Sequence, residues 1–252
     1  MNTQLFVQKY LERIKLQDEL HPDRNTLIKI HRQHLLNIPF ENLSIFENRK
    51  IEFDTEKLFT KIVTQKRGGI CYELNGLLFH LLKCIGFKAK YLSARVLDDG
   101  NEFDHVLIMV QIESDRYLAD VGFGDNFLEP LKFDLDTVHK DLKGYFKITR
   151  AENSAYTLLK SADGLEYSAE YTFSLSGRSL DDFRERCSYF ETSPESRFRK
   201  KRLCSLEREN GRISLSDNKL TMTQGEIREE KKIENDSEFD LYLKEVFDIQ
   251  IV

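Results

Sequence analysis

Tryptophan is absent from this chain, and cysteine is scarce at four in 252 residues. Cys71, Cys84, Cys187 and Cys204 form no CxxC pair, so neither a metal site nor a disulfide framework is expected. No apolar run approaches the roughly 20 residues of a membrane span. The opening Met1-Asn2-Thr3-Gln4 lacks a basic stretch leading into an apolar core, so no signal peptide is expected. Positive charge is not in excess, with 38 Lys and Arg against 43 Asp and Glu. The formal net charge of -5 argues against a nucleic-acid binder, which needs a basic face. There is no internal repeat and no low-complexity segment. These absences leave a globular protein of a reducing cytoplasm. What is plentiful is core material: 40% of the residues are hydrophobic and 18 are Phe. The length fits one large domain or two to three small ones.

The first 85 or so residues read as helical. Phe6, Tyr10 and Ile14 share one face of a helix over 3–16. A second helix runs over 26–36, capped by Asn25 or Thr26. Its His31 and His34 have no cysteine or carboxylate at ligand spacing, which makes them surface or packing residues. Pro39 disfavours helix at the residue before it, so Ile38-Pro39-Phe40-Glu41-Asn42-Leu43 is an irregular apolar segment. Asp54 is placed to cap a third helix with Leu58, Phe59, Ile62 and Val63 inward. The texture then changes. Strands are expected over 91–97, 105–112, 117–121, 145–149, 156–160 and 167–175, with turns at 98–101 and 113–116. With no helices between them, their sheet should be antiparallel or barrel-like. A helix over 180–190 is capped by Ser179, with Asp182 three residues on. The basic run 197–202 reads as a solvated linker. A hairpin around Asp217-Asn218 and a helix from Ser237, with Phe239, Leu243 and Val246 inward, close the chain.

One stretch organises the rest: Arg67-Gly68-Gly69-Ile70-Cys71-Tyr72-Glu73-Leu74-Asn75. Leu74, Leu77, Leu78, Leu81, Leu82 and Ile85 recur at helical spacing, and Gly86 follows as a stop. Gly68-Gly69 lets the backbone turn sharply and approach a neighbour closely. Cys71 then lies at a helix N-terminus, where free N–H groups and the helix dipole favour a thiolate, the form that attacks. The competing reading is a small buried apolar residue.

A cysteine nucleophile needs a base, and the base needs an orienting group. His105 opens an apolar strand after a polar loop. Asp120 closes the next strand, between Ala119 and Val121, where a carboxylate needs a partner. If Ile112 pairs with Tyr117, Asp120 lies opposite Met109. His105 and Asp120 then face the same side but stand four residues apart, roughly 13 Å. A simple hairpin does not join them; a bulge or another register is needed. The alternative is a capping His and an Asp paired elsewhere.

The stretch 67–75, followed by His105 and by Asp120-Val121-Gly122-Phe123-Gly124, resembles the arylamine N-acetyltransferases. Pro39-Phe40-Glu41-Asn42-Leu43 and Tyr189-Phe190-Glu191-Thr192-Ser193-Pro194-Glu195-Ser196-Arg197-Phe198 also fit that family's pattern, so the likeness spans about residues 5–250. It implies an α+β fold in three parts: a helical bundle with the nucleophile helix (1–86), an antiparallel β-barrel carrying His and Asp (87–192), and a linker with an α/β lid (193–252). The first two would form a cysteine-protease-like core. It implies Cys71 as nucleophile, His105 as base and Asp120 as orienting carboxylate. It also implies ping-pong transfer of acetyl from acetyl-coenzyme A, through a cysteine thioester, to an arylamine or hydrazine, with no metal. Arg67 and Glu41 match a structural pair. Phe40 and Phe103, with Gly122, Phe123 and Gly124 in the loop 122–130, are the expected substrate- and coenzyme-binding residues. One departure is Asp104, where the family often has a small hydroxylic residue; a carboxylate there is expected to raise the pKa of His105 and alter acceptor choice. Two other readings remain on the residues alone: a cysteine peptidase or transglutaminase-like hydrolase, and a binding module without chemistry.

Overall fold

The computed structural model describes residues 2–96 and 100–250, so the expected turn at Asp98-Asp99 and the strand end at Leu97 lie outside the described residues. Helix α1 (Thr3–Arg13) begins at Asn2, whose side chain accepts the Gln4 N–H. Helix α2 (Arg24–Asn37) is capped by Asp23, not by Asn25 or Thr26; the Asp23 carboxylate is the group that reaches a free N–H, that of Thr26 at 2.8 Å. Strand β1 (Phe40–Glu41) and the single turn α3 (Leu43–Phe46) follow Pro39. Asp54 caps α4 (Thr55–Phe59), which continues as a π-helical turn, Thr60–Thr64, with Leu58, Ile62 and Val63 buried.

Helix α5 (Cys71–Ile85) is the axle of the molecule. Cys71 through Leu78, with Leu81 and Leu82, are all buried. The helix ends at Gly86, where φ is 105°, a left-handed conformation that glycine adopts without strain. Its sides pack on α1 and α4 and on the outer face of the barrel sheet.

The barrel is β2 (Lys88–Arg95), β3 (His105–Ile112), β4 (Asp115–Ala119), β5 (Leu131–Lys132), β6 (Val138–Asp141), β7 (Gly144–Arg150), β8 (Tyr156–Ser161) and β9 (Ser168–Phe173). Their order is β5-β4-β3-β2-β9-β8-β7-β6, antiparallel throughout. Closure is nearly achieved by 133–136. Phe133 donates to the Arg116 carbonyl of β4, and Asp136 to the Ile148 carbonyl of β7. The period-two alternation of a strand divides two cores. Val106, Ile108 and Val110 point at the helices, whereas Leu107 and Met109 fill the barrel with Leu118, Phe146, Ile148 and Phe173.

A capped 3₁₀ turn, Leu180–Phe183, leads into α6 (Arg184–Thr192). Phe183, Cys187 and Phe190 return to the helical core. The basic run keeps Arg197, Arg199, Lys200 and Lys201 exposed, as expected, but it is not a bare linker. It forms α7 (Arg197–Lys200), buries Phe198, and sets Arg202 against Asp217 at 2.5 Å and over the Phe239 ring at 4.0 Å. The apolar side chain inside the run, and acidic partners distant in sequence, override its charge. Strands β10 (Leu203–Arg208), β11 (Gly211–Ser216), β12 (Lys219–Gln224) and β13 (Ile227–Lys232) form a second sheet, with β1 added at its edge. Helix α8 (Asp236–Phe247) covers it, burying Phe239, Leu243 and Phe247.

Candidate active site

The N-terminus of α5 is held from several directions. Glu73 Oε2 accepts the Ile70 N–H at 3.2 Å, and Lys61 Nζ reaches both its oxygens at 2.8 and 2.9 Å. Arg67 Nε donates to Glu41 at 3.0 Å and Nη1 to Glu47 at 3.0 and 3.2 Å, fixing the loop that precedes the helix. Gly68 passes so near the Pro39 carbonyl that an added Cβ would lie 1.9 Å from it. Close approach, expected of the glycine pair, is thus made to the chain's own backbone.

Cys71 is the first residue of this helix and is 3% exposed. Its other neighbour is the loop after β4. A Cβ on Gly122 would stand 2.6 Å from Cys71 Cα, so only glycine lets that loop close on the nucleophile position. The need for glycine at 122 is thereby explained by the close approach of Cys71.

His105 and Asp120 meet. His105 Nε2 is 2.8 Å from Asp120 Oδ2, both side chains buried. The expected 13 Å gap disappears because the register differs. Ile112 pairs with Asp115, not Tyr117, and Glu113-Ser114 is the whole turn. Glu113 has φ 51°, which permits a two-residue connection. The ladder ends at Ile108 and Ala119, so Asp120 would fall opposite Leu107, an even step from His105 and half the expected distance away. The side shared by the two residues is as expected; the offset is not.

Asp120 is saturated with donors. Oδ1 accepts from Asn75 Nδ2 at 2.9 Å and from the Gly122 N–H at 3.1 Å. Oδ2 accepts from His105 and from Tyr171 Oη at 3.2 Å, with Asn126 Nδ2 at 3.4 Å. Burial opposes its charge, but His105 and these donors together hold the carboxyl below the usual range. Burial likewise disfavours the His105 imidazolium. The adjacent Asp120 carboxylate, with a further contribution from Cys71 by hydrogen bond and charge, outweighs burial and raises the ring to about 10. With Nε2 on Asp120, Nδ1 is the nitrogen left for the sulfur. The other three thiols, Cys84, Cys187 and Cys204, are each pushed up by burial, away from the thiolate form.

The remaining expected residues lie as follows. Phe123 packs edge-on to the His105 ring at 5.3 Å, and Phe103 edge-on to Phe183 at 5.3 Å. Phe40 is half-buried near Phe198 at 6.2 Å. The Gly124 carbonyl is bonded by Arg212 of β11. Asp104 does not turn to His105. It binds Arg186 at 2.5 Å and accepts the Asn101 N–H at 2.9 Å; the carboxylate acting on the imidazole is Asp120. Asn75 closes the stretch 67–75, where the sequence assigns it no role; it stands one helical turn from Cys71 and bonds the acid, whereas Tyr171 lies in no motif. His31, read as a surface or packing residue, is fully buried against Asp120: its Nε2 accepts the Asp120 N–H at 3.0 Å. The signal missed was spacing, since nothing on α2 alone points to residue 120. Among the described residues, no group of three His, Cys, Asp or Glu side chains is arranged to hold a metal ion, and no helix is long and apolar enough to cross a membrane.

The profile of the N-acetyltransferase family matches residues 23–252. A pineal gland arylamine N-acetyltransferase of Gallus gallus is 32% identical, covering 97% of this chain and 94% of its own. The solved arylamine N-acetyltransferase from Salmonella typhimurium superposes with a TM-score of 0.90 at 26% identity, covering 97% of this chain and 91% of that one. An arylamine N-acetyltransferase from Bacillus cereus, described as having a unique Cys-His-Glu catalytic triad, superposes at 0.89 with 25% identity, covering 98% and 99%.

Proposed function

The chain belongs to the arylamine N-acetyltransferases, a family of acyltransferases, and from that premise we propose that it moves an acetyl group from acetyl-coenzyme A, through Cys71, to an arylamine or hydrazine. The observation that carries this reading is the His105–Asp120 bond of 2.8 Å beside a cysteine that opens a buried helix. The Bacillus cereus relative has Glu as the acid of its triad; Asp120 is the corresponding carboxylate proposed here. The hydrolase and binding-module readings lose their support, since the family is one of acyltransferases.

The roles follow from the geometry. Asp120, kept ionised by its donors, holds the ring and stabilises the imidazolium. His105 takes the thiol proton at Nδ1, leaving Cys71 as thiolate. Cys71 Sγ attacks the thioester carbonyl, and the C–S bond to the coenzyme breaks. His105 returns the proton to that departing sulfur. In the second half the amine attacks the acyl-Cys71 carbonyl, its proton passes to His105, and the bond to Cys71 Sγ breaks. The acyl-cysteine is itself a thioester, so the first half is nearly balanced in energy, and formation of the more stable amide draws the second half forward. Acetyl-coenzyme A supplies the activated acyl group. A donor bearing phosphates suits the cations near the loop 122–126. Lys143 and Lys160 bind Asp125 at 3.0 and 3.2 Å, and Arg212 bonds the Gly124 carbonyl. Phe40, Phe103 and Phe123 are proposed to flank the acceptor. The division into 1–86, 87–192 and 193–252 belongs to the same proposal, with 180–192 strapping the barrel back to the helices. So does a reducing cytoplasm, which suits four free thiols.

Two-substrate initial-rate kinetics test this. Varying acetyl-coenzyme A at several fixed arylamine concentrations should give parallel reciprocal plots. Intersecting lines would show that both substrates must be bound together, and would remove the covalent route.

A further inference from the structure

Asp120 is gripped twice by imidazoles, and the mechanism above uses only one. His31, on α2, lies completely buried behind the loop 120–128. Its Nε2 accepts the main-chain N–H of Asp120 at 3.0 Å, and its Nδ1 is 2.9 Å from the Leu128 carbonyl. The ring stacks on Phe127 at 5.6 Å with 15° between planes. A carbonyl can only accept and an N–H can only donate, so one form of the ring fits both partners: neutral, with the proton on Nδ1. An imidazolium would set one N–H against another. The two partners lie at opposite ends of the loop that carries the acid, Gly122 and Phe123. A single rigid ring on a helix of the first part therefore spans both ends of the loop that closes on Cys71.

We propose that His31 is a positioning residue for acyl transfer, its neutral ring tying both ends of loop 120–128 to α2 and thereby setting where the Asp120 carboxylate meets His105. This rests on the assignment of Cys71, His105 and Asp120 above. It concerns a residue that touches neither sulfur nor substrate and acts through the main chain. The titratable groups around it agree with a neutral ring. Burial drives His31 down to about 4 despite the nearby Asp120 charge. His34, next on the same face of α2, is driven well below its ordinary value by burial and is bonded to Tyr10 Oη of α1 at 2.7 Å.

The test compares His31→Leu, which removes both bonds, with His31→Gln, whose amide carries one acceptor and one donor. Three readouts are taken: the thermal melt, the pH profile of Cys71 alkylation by iodoacetamide, and kcat and KM for acetyl transfer. His31→Leu is expected to melt as a folded protein, to lose about ten- to a hundredfold in alkylation rate near neutral pH and in kcat, and to shift the pH profile. His31→Gln is expected to recover most of the loss. A folded His31→Leu that reacts like the native protein overturns the proposal, as do two variants equally slow with an unchanged profile. If His31→Leu does not fold, ¹⁵N-histidine NMR of the native protein decides. A neutral ring protonated at Nδ1 at neutral pH supports the proposal; an imidazolium, or a proton on Nε2, overturns it. Alkylation needs no acyl donor, so this result stands apart from whether acetyl-coenzyme A is the substrate. An acetyl adduct on native Cys71 tests that separately.

Discussion

The barrel mouth and the helical side of the molecule each present a buried histidine to the same aspartate, and the two end in opposite states. His105 and His31 are both almost fully buried, so desolvation alone would leave both neutral. His105 faces the carboxylate oxygens of Asp120 and is raised to about 10. His31 faces the main-chain N–H of the same residue and falls to about 4. Which end of the aspartate a ring meets, rather than how deeply it lies, decides whether it carries a proton. The barrel side thus supplies a charged partner for sulfur, while the helical side supplies a rigid, uncharged anchor.

The largest expected effect removes the sulfur that the comparison serves. Cys71→Ala should fold normally, keep His31 neutral, and lose acetyl transfer completely; measurable turnover would refute the nucleophile. Next, Asp120→Asn breaks one side of the comparison and spares the other. The main-chain bond to His31 survives while His105 loses its charge partner. Cys71 alkylation near neutral pH should slow by up to about ten-thousandfold, the loss that the same Asp-to-Asn change causes in the turnover of a serine triad. Unchanged alkylation kinetics would remove Asp120 from the mechanism. A smaller effect is expected from Gly122→Ala, whose Cβ would meet Cys71 Cα at 2.6 Å. Overpacking of that kind costs about 1–3 kcal/mol, read as a lower melting temperature and slower transfer.

The smallest effect sharpens the contrast itself. A folded pKa above the ordinary 6.5 means that His105 stabilises the fold fully below about 6.5, and loses that contribution as pH rises towards about 10. A folded pKa below 6.5 means that His31 stabilises fully above about 6.5, and loses its contribution as pH falls towards about 4. Denaturant titrations across this range should show an alkaline slope that flattens in His105→Gln and an acid slope that flattens in His31→Gln. Unaltered slopes in both variants would break the comparison.

How much of this was legible depended on whether the deciding force was local. Helix α5 could be read because its leucines repeat at helical spacing and Gly86 stops it. Strand β3 was read to the residue because eight apolar-rich positions lie between polar loops. The strands β1 and β5, of two residues each, carry no periodicity, and β6 buries none of its four residues fully. The β3–β4 register turned on the backbone of Glu113, a residue with no mark of a tight turn, and the closeness of His105 and Asp120 turned on that register. The role of His31 was illegible for a different reason. Its partners, the Asp120 N–H and the Leu128 carbonyl, are main-chain atoms that every residue possesses.

The central claim is that Cys71, the one thiol placed beside the His105–Asp120 pair, takes up the acyl group. The most direct measurement is the mass of the intact protein after mixing with acetyl-coenzyme A alone, followed by peptide mapping. The account predicts one acetyl group, on Cys71, discharged when an arylamine is added. No adduct, or an adduct on Cys84, Cys187 or Cys204 that the amine does not remove, would contradict it.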